Sequence, residues 1–168
     1  RMLVARVTGA EHDEQHCFPT AAPRPAVASM NRFRFAHACG DDPDGLLAAC
    51  LAQLGALPAA ASLGFVFATD VLAPALPGLL EQLKGATGTA HWVGSVGIGI
   101  SATGHEYYDE PALAVLLVDA PPDSFRIVPA QHDRVDAYSA RIADWLARDP
   151  LHFGMLHVDP ATHAAPAI

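Results

Sequence analysis

The sequence predicts an α/β domain with a mixed parallel and antiparallel sheet flanked by helices, and three observations carry that expectation. Short apolar runs of strand length alternate with segments of helical periodicity. Aspartate–proline pairs stand where helices should begin. One pair of strand-like runs, Ala112–Asp119 and Phe125–Val128, is joined too briefly for a crossover and so should form an antiparallel pair.

The elements follow in order. Residues 1–29 carry Pro19, Pro23 and Pro25 without periodic hydrophobicity and are expected to be a flexible leader. The domain is expected to occupy 30–168, with Met30 as the native start. Arg32–Ala38 alternates Phe33 and Phe35 with Arg32 and Arg34, the period of a half-buried strand. Asp41 and Asp42 before Pro43 supply an N-cap, and Leu47, Cys50, Leu51 and Leu54 recur at helical spacing up to Gly55. Leu63–Ala68 is a buried strand ending at Thr69 and Asp70. A second helix begins at Pro77 and is expected to stop at Gly85, after Lys84.

Ala90–Ser95 and Ile98–Ala102 read as strands around Gly94 and Gly97, and His105–Glu110 as a polar connecting loop. A third helix over Arg134–Arg148 should bury Tyr138, Ile142, Trp145 and Leu146 on one face. Phe153–Val158 is a final buried strand. Asp159–Pro160 then opens a helix, so the chain is expected to stop inside an element and to lack a C-terminal half.

Composition removes several functions. A net charge of −8 leaves no basic surface for phosphate backbones, so no nucleic acid is expected. No apolar run approaches the roughly 18 residues that cross a bilayer, nor is there a signal-peptide core. Three unpaired cysteines, Cys17, Cys39 and Cys50, suit a reducing cytoplasm. No cofactor is expected.

The glycine-rich stretch Gly94–Ser101 has the spacing G-x-x-G-x-G and continues as a strand. A dinucleotide loop needs G-x-G-x-x-G opening a helix, so these glycines are expected to permit close backbone packing or to offer amides to a ligand. If a β-α-β crossover joins the two strands, Thr69, Asp70, Gly94, Ser95 and Gly97 converge at one sheet edge as the wall of a ligand site.

The remaining clusters have plainer readings. His12, His16 and Cys17 sit in the leader without a frame to hold zinc. His157 and Asp159 share a face at a strand end, where they serve as a satisfied histidine and a helix cap or meet a polar ligand or metal. His37-Ala38-Cys39 also lies at a strand end. The His105–Glu110 stretch is the densest titratable cluster and the seat of an alternative, hydrolase-like reading. An open sheet edge would support a third reading, a protein-association scaffold.

LGFVFATD, a helix with LLEQLK, and HWVGSVGIGISATGHEYYDEPALAVLLVD, followed by FRIVPA and FGMLHVDP, resemble the N-terminal region of FIST domains, from Arg32 to Pro160. Ser95 stands where that family often has cysteine, and Ile100 where an acidic residue often follows the glycine. The resemblance implies a bacterial, intracellular sensory module for a small ligand such as an amino acid. It also implies a C-terminal FIST region or a signalling output domain as partner.

Overall fold

The computed structural model describes residues 2–5, 32–57, 61–128, 143–147 and 153–157. The order is β1 (Met2–Ala5), β2 (Phe33–Cys39), α1 (Pro43–Leu54), β3 (Leu63–Thr69), α2 (Leu76–Thr87), β4 (His91–Gly97), β5 (Gly99–Ala102), β6 (His105–Tyr108), β7 (Ala112–Val118), β8 (Phe125–Val128) and β9 (Phe153–Leu156). The central sheet runs β2-β7-β3-β4, with β3–β4 parallel and both β7 pairings antiparallel. A mixed α/β fold is therefore what the chain adopts.

Because β2 and β3 are both antiparallel to β7, β2, β3 and β4 all run the same way. Their C-terminal ends, Cys39, Thr69 and Gly97, lie along one edge of the sheet. The two crossovers are α1 and α2. Asp42 caps α1 by accepting from the amides of Asp44 and Gly45, and Gly55 at φ 65 closes it. Helix α2 has Pro77 in its first turn, where the missing N–H costs nothing, but it runs past Gly85 to a left-handed Gly88 at φ 67. Gly85 is an interior glycine and not the stop.

Both helices cover one face. Ala36, Val66, Ala68, Leu113, Val115 and Leu117 of the sheet meet Leu46, Leu47, Cys50, Leu54, Leu79 and Leu83 there. Trp92 lies over Gly64, where a Cβ would come within 2.6 Å of its ring, and donates its indole N–H to the Thr89 carbonyl. Burial pushes the Cys50 thiol up to about 11.

The second face is covered by two separate pieces. One is a three-stranded sheet, β8-β1-β9, which sets Phe125, Ile127 and Met155 against Leu63, Phe65 and Val93. The other is the β5–β6 hairpin, which lays Ile100 and Tyr107 on Ala112 and Ala114.

Several expectations give way here. Met2–Ala5, inside the expected leader, is the middle strand between β8 and β9. His105–Tyr108 is a strand of the hairpin and not a loop. Strands β7 and β8 are not neighbours, because the short helical turn Pro122–Ser124 lifts the chain out of the central sheet and β8 pairs with β1. The final strand is only part-buried, with Phe153 exposed.

Of the third helix, 143–146 is helical and Trp145 is buried as expected, donating to the Asp123 carbonyl under the Arg126 guanidinium. Met30, Tyr138, Ile142, Asp159 and the His12, His16 and Cys17 cluster lie outside the described residues. Among the described residues no helix is long and apolar enough to cross a membrane.

Candidate functional site

Open α/β sheets bind ligands at the carboxyl ends of their parallel strands. Two residues before that edge, His37, Ala114, Phe67 and Ser95 stand side by side in register across β2, β7, β3 and β4. Directly paired residues share a face, so this row lies on the face turned away from the helices. Phe67 packs against both covering pieces, the β8-β1-β9 layer and the hairpin, and stays part-exposed where most of β3 is buried. A seam between the two covers therefore has Phe67 as its floor.

The polar groups of the seam are individually placed. Gln53 of α1 accepts from the His37 backbone N–H at 3.2 Å and donates to the His37 carbonyl at 2.8 Å, which fixes that residue at the sheet's outer strand. The His37 Nδ1 meets the Tyr107 hydroxyl at 2.5 Å. Burial, followed by the Cys39, Glu110 and Cys50 charges, pushes the Tyr107 phenol above its ordinary value, so it remains a donor. His105 stacks on Tyr107 with ring centres 5.4 Å apart and stands 5.5 Å from His37. At the other end His157, just after β9, sets its ring 5.8 Å from Phe67.

The residues anticipated from sequence divide into two groups. Thr69 and Gly97 are paired at the shared edge, as a β-α-β crossover requires, and Ser95 sits beside Phe67. Thr69 is fully buried, and its hydroxyl donates to the Glu110 carbonyl at 2.7 Å and accepts from the Ala112 amide at 2.9 Å. It ties the strand end to the segment entering β7. Gly94 is a packing position, since a Cβ there would fall 1.7 Å from the Val66 carbonyl oxygen. Gly97 and Gly99 let the chain fold back into the hairpin, with Gly99 beneath the Tyr108 ring. Ser95 and Asp70 are exposed. Strand β4 runs on to Gly97 instead of ending at Ser95, and a strand follows its glycines, so no helix opens there to hold a pyrophosphate.

Strand alternation also divides the titratable cluster of β6. His105 and Tyr107 share the side that faces His37, and Glu106 and Tyr108 are exposed on the other. Sequence neighbours in that stretch therefore do not form an acid–base pair. The hydrogen-bond partner of Tyr107, His37, is 70 residues away, and no sequence spacing announced it.

The pattern that defines the FIST N domain matches residues 62–168, more than half of the chain. The chain belongs to the FIST family. No curated protein matches it. FIST domains are sensory domains of signalling proteins, and that is the level at which the family assigns a role. The match begins at Ser62, after β2 and α1. Those two elements are nonetheless part of the same domain, because β2 pairs along the whole of β7 and Cys50 and Leu54 fill its core.

Proposed function

We propose that this FIST N domain senses a small polar ligand, such as an amino acid, held at the seam over Phe67. The observation that carries the reading is the row His37–Phe67–Ser95, which sets an imidazole and a hydroxyl on either side of an aromatic floor near three co-directional strand ends. Ser95, Gly97 and Asp70 offer the ligand side chains and open backbone, and Thr69 and Gly94 hold the wall in shape. Occupancy would be passed to a C-terminal FIST region or a signalling output domain in the cytoplasm.

A melting screen of the full chain against small polar metabolites tests this. The expected result is a reversible rise in melting temperature with at least one compound and no chemical change in it. Turnover across a panel of small esters and amides would favour a hydrolase instead. Concentration-dependent association with no melting shift would favour a scaffold.

A further inference from the structure

Three rings from distant parts of the chain meet where the β5–β6 hairpin reaches β2. The centres of His37, His105 and Tyr107 stand 5.4, 5.5 and 5.7 Å apart pairwise. Two of the three are imidazoles, and they come from different elements. His37 is part-exposed and His105 exposed, so the pair opens to solvent.

Their spacing suits one small ion. Zinc lies about 2.0–2.1 Å from an imidazole nitrogen and so about 3.2 Å from the ring centre, and two such rings at a tetrahedral angle have centres about 5.2 Å apart. His37 and His105 stand at 5.5 Å, tilted by 38°. Neither strand has to move, and an exposed side chain such as His105 changes rotamer freely.

His37 is also held as a metal-binding histidine is held. Such a histidine hydrogen-bonds a neighbouring group through the ring nitrogen that does not bind the ion, which fixes the ring's orientation. The His37 Nδ1 meets the Tyr107 hydroxyl at 2.5 Å, and Gln53 grips the His37 backbone through both its amide and its carbonyl. A phenol accepts as well as donates, so with an ion on Nε2 the Nδ1–H would donate to the Tyr107 oxygen. His105 stacks on the same phenol, with ring planes 26° apart.

We propose that His37 and His105 together bind a divalent ion of the zinc class, with Tyr107 as the group that positions His37. Imidazole nitrogen suits zinc, copper or nickel, whereas magnesium and calcium take oxygen ligands. The described residues supply these two ligands and no third, and the remaining positions go to water, as in an open site. Because one ligand belongs to β2 and the other to β6, the ion would tie the hairpin to the outer strand of the sheet. The inference is independent of the ligand-sensing reading above, since neither Phe67 nor Ser95 enters into it.

Zinc titrated into the full chain and followed by histidine-selective NMR tests this. The His37 and His105 ring resonances are expected to move together, at zinc concentrations at least about tenfold below those that move His91, an exposed histidine on the opposite outer strand, because a second ligand held nearby acts at high effective concentration. His105→Ala, at an exposed position, should melt like wild type and weaken zinc at least about tenfold. Tyr107→Phe keeps both imidazoles, removes only the hydroxyl, and should weaken zinc about tenfold.

Unchanged zinc affinity in His105→Ala, or movement of His37 without His105, would overturn the proposal. Equal affinity at His91 would also overturn it, as the mark of an adventitious ion only. If Tyr107→Phe melts early, the exposed His105→Ala carries the test. If it melts like wild type and binds zinc equally well, the positioning role of Tyr107 falls.

Discussion

Beneath α1 and α2 the four-stranded sheet buries Val66, Leu113, Val115 and Leu117 against leucines, and Cys50 is the one titratable member of that cluster. The same strands, one residue out of phase, present His37, Phe67 and Ser95 on the other face, where two separate pieces meet without sealing the floor. Period-two alternation thus assigns one set of strands two jobs. The helical side excludes water and holds the strands in place. The other side keeps imidazoles and a hydroxyl within reach of solvent, with the Tyr107 phenol buried beside them.

If that division is right, substitutions should separate by face. Leu113→Ala, at a fully buried position under the helices, is expected to cost about 2–5 kcal/mol in denaturant unfolding. A loss under about 1 kcal/mol would mean that the helical face is loosely packed. Thr69→Val is a smaller change at the shared edge. It keeps the shape, leaves the Ala112 amide and Glu110 carbonyl unpaired, and should cost about 1–3 kcal/mol. A stability equal to wild type would show that water replaces the hydroxyl and that the edge is open.

The smallest expected effect is in the pH dependence. Folding lowers the His157 value, so the unfolded chain takes up the proton more readily. Its contribution is present above the unfolded value of about 6.5 and is lost as pH falls from there toward the folded value. Melting temperatures of wild type and His157→Phe should therefore diverge in slope below that pH, with the variant flatter. Parallel profiles would place His157 in solvent and remove it from the seam.

The helical side was the more legible in the sequence. Asp42, Pro43 and Gly55 bound α1 because capping is local chemistry, and the apolar runs of β3 and β7 could be little else. The end of α2 was misplaced because a helix tolerates a glycine such as Gly85, and only backbone conformation distinguishes it from Gly88. The seam was legible only in fragments. Ser95 and Thr69 could be placed near one edge from the crossover alone, but the partnership of His37 with Tyr107 needs the hairpin to fold back. The polarity of His105–Glu110 concealed the strand that does so. Strand β1 was missed because four residues carry no period of their own, and their partners, β8 and β9, lie near the other end of the chain.

The two hydrogen bonds from Gln53 to the His37 backbone also bear on self-association. An outer strand with free amides and carbonyls is a template for another chain. On β2 the amide and carbonyl at mid-strand are already taken by a side chain from the domain's own helix, so an incoming strand would have to displace Gln53 before it could pair there. A single glutamine thus covers the middle of this edge, while Phe33 and Phe35 stand exposed further back on the same strand.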